Sequence, residues 1–418
     1  MTTELLDCVV IGGGPAGSTT AALVAEQGRS TLLLERDSFP RFHIGESLMP
    51  ETYWTLERLG VADRVRSGCF VKKNGVQFVN HEGKESKPFY FREADDRDCA
   101  ETLHVQRDEF DRMLFENAAA KGATCWDRTR VLDVKFSGEG PHTVEYRRDG
   151  GEVESVRARV VVDATGQQAM IASRMQTKKV DPDLKKAAIW GYFKNAKRNG
   201  PGEAEVTCIL HTTSKQCWFW YIPLSNGTVS IGVVGDNEYL LKGRGTPAEI
   251  FAEERAQCIG LRARMEHAEL VGEWHVAKEF SYKCHQVAGD GWVLVGDAYG
   301  FIDPIYSSGV FLALKSGEMA ADAIVAGLKK DDVSRAQLES WTGEFNEGVV
   351  WIRKLVDAFY THEFSFGDFM KNFPAHRNNL TDLLVGKVFD GEPGRMFTDM
   401  DPWIESLKES GDSMAMKS

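Results

Sequence analysis

The chain has 418 residues, of which 42% are hydrophobic and 27% charged, and its formal net charge at pH 7 is −12. That length is sufficient for two joined lobes with substantial cores. The acidic balance argues against a nucleic-acid or anionic-membrane binder, and no apolar stretch approaches the roughly 20 residues that span a bilayer. Eight scattered cysteines form no C-x-x-C pair and predict no metal site. The N-terminus lacks a secretory pattern, so we expect a cytoplasmic protein.

The first 34 residues predict one β-α-β unit. A buried strand over 5–11 leads into a Gly-rich turn, a helix of small residues continues to about 27, and a second strand follows over 30–34. Parallel strands connected in this way imply a right-handed crossover and a sheet that is covered on both faces.

The rest of the chain predicts a second sheet inserted into the first lobe. A helix is expected over 107–122, a hairpin turn at Asp149-Gly150, and a buried strand over 160–166. Aromatic and β-branched residues dominate 185–234, which predicts an antiparallel sheet over a substrate cavity. A buried strand over 292–296 and a helix over 308–328 return to the first lobe, and mainly helical structure follows.

These elements predict an α/β fold with discontinuous domains. The lobe that begins with the β-α-β unit comprises 1–75, 100–175 and 270–330. The substrate lobe comprises 76–99 and 176–269, and 331–418 forms a helical C-terminal segment.

The turn after the first strand carries the pattern Gly12-x-Gly14-x-x-Gly17. Gly12 permits the tight turn, Gly14 lets the backbone approach a pyrophosphate, and Gly17 lets helix and strand pack closely. Glu35 ends the second strand, where an acid can bind ribose hydroxyls. The pattern predicts a dinucleotide site without separating FAD from NAD. Its expected residues are Gly12, Gly14, Pro15, Ala16, Gly17, Glu35 and Arg36.

Three further motifs resemble those of the FAD-dependent hydroxylase superfamily. They are 291–298, which contains Gly296-Asp297, 105–111, which contains Arg107, and the turn 163–166. The resemblance implies that the dinucleotide is FAD, that the first lobe is of the glutathione-reductase type, and that Arg107 and Asp297 reach the cofactor.

Within that superfamily, four segments resemble flavin-dependent halogenases. They are the W-x-W-x-I-P hexapeptide, the F-x-x-P-x-x-S-x-G loop, a lysine before an x-Gly pair, and a P-x-x-x-x-G-E-S loop. Alternating aromatic residues in a strand usually only pack a core, a serine at a helix start is usually a cap, and most lysines are solvated. The resemblance instead implies a flavin-adjacent motif, a halide site at two backbone amides, a catalytic lysine, and further flavin contacts. The hexapeptide contributes Trp218, Trp220, Ile222 and Pro223, and the F-x-x-P-x-x-S-x-G loop contributes Pro304, Ser308 and Gly309. The lysine is Lys73, and the P-x-x-x-x-G-E-S loop contributes Arg41, Gly45 and Ser47.

The resemblance implies halogenation driven by reduced FAD and O2. Chloride or bromide at Ser308 and Gly309 would become hypohalous acid, and Lys73 would deliver the electrophilic halogen to an aromatic ring. No second Gly-rich phosphate motif is visible for NAD(P)H, so we expect a separate flavin reductase. The alternatives are an FAD-dependent aromatic monooxygenase, a geranylgeranyl-type reductase and a non-catalytic flavoprotein.

The substrate class follows from one departure. Tryptophan halogenases carry a glutamate where this chain has Tyr306, so we expect an electron-rich phenol or pyrrole. The short tail is similar to that of the pyrrole enzymes that act on carrier-protein thioesters, and aromatic residues over 359–366 are expected to cover the cavity. A basic region is either a carrier dock or a solvated charged loop. Its residues are Lys178, Lys179, Lys185, Lys186, Lys194, Lys197 and Arg198.

Overall fold

A computed structural model describes residues 5–93, 95–138, 140–198 and 205–415. Its strands, in chain order, are β1 (Leu5–Ile11), β2 (Thr31–Leu34), β3 (Val71–Val79), β4 (Phe89–Tyr90), β5 (Thr102–His104), β6 (Thr124–Trp126), β7 (Thr129–Lys135), β8 (His142–Arg148), β9 (Val153–Asp163), β10 (Lys178–Val180), β11 (Lys186–Lys194), β12 (Glu205–His211), β13 (Cys217–Pro223), β14 (Val229–Asp236), β15 (Glu269–Lys278), β16 (Tyr282–Cys284), β17 (Ala288–Gly289), β18 (Trp292–Leu294) and β19 (Gly300–Phe301).

The helices fall between these strands and dominate the last quarter of the chain. In chain order they are α1 (Pro15–Glu26), α2 (Thr52–Arg58), α3 (Ala62–Arg66), α4 (Arg107–Ala120), α5 (Met170–Arg174), α6 (Asn237–Leu241), α7 (Pro247–Ala256), α8 (Ile259–Arg262), α9 (Ser308–Lys330), α10 (Arg335–Leu338), α11 (Thr342–Tyr360), α12 (Phe366–Asn372), α13 (Arg377–Val385) and α14 (Phe397–Ala415). Within the described ranges, no helix is long and apolar enough to cross a membrane.

The first sheet has the strand order β17-β18-β9-β1-β2-β6, and β7 and β8 form a hairpin extension on β9. Strands β18, β9, β1, β2 and β6 are parallel, as expected for a β-α-β origin. Helices α1 and α9 lie close against each other: the Thr20 hydroxyl donates to the Gly317 carbonyl at 3.1 Å, and a Cβ on Gly317 would lie 2.6 Å from the Ala16 oxygen. The turn at Asp149-Gly150 has positive φ at both residues, as a tight hairpin between β8 and β9 requires.

The second sheet has the order β15-β11-β14-β13-β12-β3-β4, with β5 paired to β3. Its strands are antiparallel apart from the β12–β3 pair, which is parallel. Residues of one sheet face belong to a core that also includes the C-terminal helices, and the other face packs on α7 and α8. The α/β fold with an inserted, mainly antiparallel sheet and a helical C-terminal segment is therefore confirmed.

The division into domains stays a prediction. Strands β3 and β5 belong to the second sheet, although most of their residues lie in segments that we assigned to the first lobe. Strand β3 is brought there by pairing with β12, which is more than 100 residues away in the chain and which no local pattern indicates, and β5 joins the sheet through its pairing with β3.

The expected basic region stays a prediction as a docking surface, and at least two of its seven residues are engaged within the protein. Lys186 is buried, and its Nζ lies 2.7 Å from an Asp236 carboxylate oxygen. Arg198 donates to the Leu224 carbonyl at 2.7 Å. Lys186 and Lys194 lie at opposite ends of the nine-residue strand β11, roughly 25 Å apart at the usual rise per residue. The charges are separated by the strand and partly neutralised.

Candidate active site

A large cavity opens between the first sheet and one face of the second. It brings together sixteen of the twenty predicted site residues, which lie far apart in the chain. Gly17, Lys73, Pro223 and Ser308 do not line it. The predicted residues that line it are Gly12, Gly14, Pro15, Ala16, Glu35, Arg36, Arg41, Gly45, Ser47, Arg107, Trp218, Trp220, Ile222, Asp297, Pro304 and Gly309.

Two glycines of the glycine-rich turn have no room for a side chain. A Cβ on Gly17 would lie 1.9 Å from the Gly12 carbonyl oxygen, and one on Gly12, where φ is +107°, would lie 2.3 Å from the Ala164 oxygen. Gly14 is the N-cap of α1 and provides no side-chain cap. The backbone N–H groups at the start of α1 therefore face the cavity beside the positive end of the helix, where an anion is stabilised.

Glu35 lies at the end of β2 beside this turn, as predicted. Its two carboxylate oxygens accept from the backbone N–H of Gly13 at 2.8 Å and of Asp37 at 2.9 Å. Arg36 is exposed at the cavity rim, where it pairs with Asp37. Backbone N–H donors thus hold the Glu35 carboxylate at the end of the cavity where the sequence pattern predicts a ribose.

Two arginines of the cavity wall share one buried carboxylate, which the sequence analysis missed. Arg107 forms a bidentate pair with Asp111, with Nε and Nη2 at 2.8 and 3.0 Å from the two carboxylate oxygens. Arg41 Nη1 lies 3.2 Å from the same Asp111 group. Arg107 also donates to the Ile44 carbonyl at 2.6 Å. The spacing of four residues between Arg107 and Asp111 on α4 was the available signal.

Asp297 lies half-buried at the other side of the cavity, directly after β18. Burial raises its pKa to about 6, although the positive charges of Arg107 and Lys178 act in the opposite direction. A group at this position that offers N–H or O–H donors would favour the ionised carboxylate.

Strand β13 carries the W-x-W-x-I-P hexapeptide. Trp218, Trp220 and Ile222 alternate along it and face the cavity, because every second side chain of a strand points the same way. The Trp220 Nε1–H donates to the Ser230 hydroxyl at 3.1 Å. Pro223 ends the strand, and its carbonyl contacts His104 instead of the cavity.

The loop before α9 places backbone amides at the cavity. Ser307 is the N-cap of this 23-residue helix, has φ of +60°, and makes no side-chain capping hydrogen bond. Ser308 is buried, and Gly309 lines the cavity. The Ser307 hydroxyl therefore does not cap α9. The positive end of this helix remains suited to an anion.

A second cavity of about 750 Å³ lies beyond Trp218, which lines both cavities. The Trp218 indole donates to the Tyr360 hydroxyl at 3.0 Å, and that hydroxyl donates to an Asp303 carboxylate oxygen at 3.0 Å. Burial raises the pKa of Asp303 to about 7. The aromatic residues over 359–366 line this second cavity, together with Tyr306.

Lys73 is buried at the start of β3, with 1% of its surface exposed. Its Nζ donates to the Leu48 carbonyl at 2.8 Å, next to the cavity-lining Ser47. Burial lowers the pKa of Lys73 to about 7. Lys72 is exposed and pairs with Glu101 at 2.8 Å, as expected of a surface lysine. The two adjacent lysines thus occupy opposite environments.

The first cavity fits FAD by its own features. It has a helix start without a side-chain cap beside tightly packed glycines, two arginines in its wall, and apolar and aromatic walls at the other end. A phosphate group and a flat ring system need these two kinds of surface.

Comparison with known proteins decides the family. A family model described as an FAD binding domain matches residues 6–340. The 1H-pyrrole-2-carbonyl-(peptidyl-carrier protein) chlorinase of Pseudomonas fluorescens is 31% identical over 408 residues, covering 92% of this chain and 90% of the relative. The corresponding brominase of Pseudoalteromonas luteoviolacea is 34% identical over 392 residues, covering 92% and 93%. This chain belongs to the flavin-dependent halogenases.

Solved structures agree with this assignment. The flavin-dependent brominase Bmp2 matches this halogenase with a TM-score of 0.85 at 29% identity, covering 96% of this chain and 100% of that one. The flavin-dependent halogenase CmlS matches with a TM-score of 0.80 at 26% identity, covering 97% and 78%. The predicted family, the FAD cofactor and the enzyme class are thus confirmed, and halide and O2 follow from the activity.

Proposed function

We propose that this halogenase chlorinates or brominates an electron-rich aromatic acyl group, a phenol or pyrrole, that is tethered to a carrier protein. The similarity to the two pyrrole-2-carbonyl enzymes carries the proposal, since it covers at least 90% of each relative. The Armillaria mellea halogenase armH4 is 33% identical, but the match covers only 65% of that protein. The more extensive match therefore favours the carrier-dependent enzymes.

The cofactor is held by the residues that line the first cavity. The start of α1, with Gly12, Gly14, Pro15 and Ala16, binds the pyrophosphate, and Glu35 binds the ribose. The remaining contacts come from both lobes. They are Arg36, Arg41, Gly45, Ser47, Arg107, Asp297, Pro304 and Gly309. Bound reduced FAD, together with O2, supplies the oxidising chemistry that converts halide into an electrophile, and a separate flavin reductase supplies the reduced cofactor.

The halide binds to the backbone amides of Ser308 and Gly309. The uncapped N-terminus of α9 provides donors and a positive helix end without a competing side-chain oxygen. Trp218, Trp220 and Ile222 form the opposite wall and exclude water, which limits the loss of a reactive oxidant.

Lys73 transfers the halogen. Because its pKa is lowered to about 7, both the free amine and the ammonium form are populated near neutral pH. The amine is a nucleophile toward electrophilic halogen, and the ammonium form donates a hydrogen bond. Because Lys73 is buried, electrophilic halogen reaches it only from inside the protein. A halogen transfer that stays confined within the protein requires this.

The aromatic substrate approaches through the second cavity. Its walls are rich in aromatic side chains, and Trp218 separates it from the flavin cavity. Exposed Lys84 and Lys215 line it and attract an acidic carrier, whereas the charge of Lys371, also in its wall, is paired with Asp368 at 2.7 Å.

The test compares Lys73→Met with Lys72→Met, a matched change at the neighbouring surface lysine. Each protein is supplied with a flavin reductase, FAD, O2, chloride or bromide, and a carrier protein loaded with a pyrrole-2-carboxyl thioester. Intact-protein mass spectrometry measures halogen incorporation, and a thiol trap measures free hypohalous acid. We expect Lys72→Met to halogenate normally and Lys73→Met to consume O2 and release trapped oxidant without halogenating the carrier.

Three outcomes contradict parts of the proposal. Normal halogenation by Lys73→Met removes the lysine from the mechanism. Halogenation of a free pyrrole or phenol with no turnover of the loaded carrier removes the carrier. Oxygenated product whose yield is independent of halide moves the assignment to an aromatic monooxygenase.

A further inference from the structure

A buried histidine that no motif indicates lies between the predicted lysine and the flavin cavity. His104 ends β5, and none of its surface is exposed. Its Nδ1 lies 3.1 Å from the Pro223 carbonyl oxygen, at the end of the W-x-W-x-I-P strand. Its Nε2 lies 2.9 Å from the Thr207 hydroxyl, which in turn lies 2.8 Å from the Ser47 hydroxyl. Thr207 and Ser47 both line the flavin cavity.

The chemistry of these groups fixes the direction of every bond in a neutral chain. A carbonyl oxygen only accepts, so His104 carries a proton on Nδ1. The Nε2 of a neutral imidazole is then an acceptor, and the Thr207 hydroxyl must donate to it. Having used its proton, Thr207 accepts from Ser47. The Ser47 proton is therefore engaged by Thr207, and Ser47 has only lone pairs to offer to a further partner in the cavity.

A doubly protonated His104 would reverse the chain. Nε2 would donate to Thr207, Thr207 would be free to donate to Ser47, and Ser47 would offer its proton to the cavity. The surroundings oppose this state. Burial and, after it, the nearby charge of Lys73 hold the pKa of His104 well below its usual value; the hydrogen bond to the Pro223 carbonyl acts in the other direction, and the charge of Arg198 adds a smaller lowering. A positive charge on one buried base disfavours protonation of its neighbour.

We propose that neutral His104 is a positioning residue that makes Ser47 a hydrogen-bond acceptor toward the flavin. The link between His104 and the cavity is the Thr207 hydroxyl. Reduction of an isoalloxazine ring adds N–H donors, so an acceptor in the cavity wall favours the reduced form over the oxidised one. The proposal concerns the FAD site, and it holds whichever aromatic compound is halogenated.

The first measurement is made on the wild-type protein and uses a variant only to assign one signal. Nitrogen-15 NMR of histidine-labelled protein without FAD reports which imidazole nitrogen carries the proton, once His104→Gln assigns the signal. We expect the Nδ1-protonated neutral form from pH 6 to pH 8. A signal from the Nε2–H tautomer or from the imidazolium in this range overturns the proposal.

Two conservative variants separate positioning from simple structural anchoring. The terminal amide of His104→Asn takes the place of Nδ1 and keeps the Pro223 contact, while that of His104→Gln takes the place of Nε2 and keeps an acceptor for Thr207. Thr207→Val removes the link while preserving shape. Anaerobic titration gives the affinities for oxidised FAD and for dithionite-reduced FAD, and thermal unfolding reports the fold separately.

We expect His104→Gln to retain the wild-type ratio of the two affinities. His104→Asn and Thr207→Val should lose preference for reduced FAD by about two- to tenfold, the range of one hydrogen bond. If His104→Asn retains the ratio and His104→Gln loses it, the histidine only anchors Pro223 and the proposal fails. It also fails if Thr207→Val retains the wild-type ratio. None of these results depends on halogenation, so they are separable from the test of Lys73.

Discussion

Asp111 offers the sharpest test of the electrostatics of the cavity. No part of Asp111 is exposed, and its carboxylate binds Arg107 through two contacts of 2.8 and 3.0 Å and Arg41 through one of 3.2 Å. Asp111→Asn preserves the shape of the side chain and removes its charge, which leaves Arg107 without its carboxylate partner and Arg41 with only the longer contact of 3.6 Å to Glu35.

The expected loss of unfolding free energy follows from this geometry. Breaking a buried ion pair by neutralising one partner costs about 3–5 kcal/mol, because the other charge stays desolvated without compensation. The Asn oxygen can still accept one bond from Arg107, so we expect about 3 kcal/mol for the protein without FAD. The control is Glu238→Gln, which breaks the exposed Lys242–Glu238 pair and should change stability by less than about 0.5 kcal/mol.

Urea unfolding followed by tryptophan fluorescence measures both variants. FAD should restore more stability to Asp111→Asn than to the wild-type protein, because the pyrophosphate supplies the negative charge that the variant lacks. A loss below 1 kcal/mol without FAD would show that the two arginines do not depend on Asp111. An equal gain from FAD in both proteins would show that they do not face the pyrophosphate.

The remaining predictions concern packing and pH. Gly17→Ala should abolish FAD binding and soluble expression, because its Cβ would lie 1.9 Å from the Gly12 oxygen. The control Gly343→Ala, in open helical surroundings, should be neutral or stabilising by up to about 1 kcal/mol. Equal expression and equal FAD retention by the two variants would refute the steric reasoning. Lys73→Met should become increasingly more stable than the wild-type protein as pH falls from about 10.5 to about 7. The folded state lowers the pKa of Lys73 to about 7, so over this range the unfolded chain takes up a proton that the buried amine does not, and the wild-type protein loses stability; a pH-independent difference in urea midpoints would contradict this. Asp303→Asn should gain stability relative to the wild-type protein as pH rises from about 4 to about 7. The reason is that the pKa of the buried Asp303 is raised to about 7, so its ionisation is opposed in the folded state. A stability difference between the two proteins that shrinks over that range would be the opposite of what burial predicts.

Local sequence patterns determined the first lobe and most of its cofactor surface. The strand Leu5–Ile11 was predicted at its observed limits, and α1 ends one residue before the predicted end, because an apolar run followed by a Gly-rich turn is a signal that neighbouring residues carry on their own. The hairpin at Asp149-Gly150 is equally local. The family resemblance, which was also carried by short motifs, indicated FAD and the halogenase activity.

The tertiary structure alone decided what surrounds those motifs. Lys72 and Lys73 are adjacent in sequence, but only the packing of β3 shows that one is exposed and the other nearly buried. The His104 contacts to Thr207 and Pro223 span more than 100 residues, and Tyr360 reaches Asp303 across 57. Burial, pairing and pKa depend on which distant segments pack together, and a one-dimensional pattern records the side chains but not their neighbours.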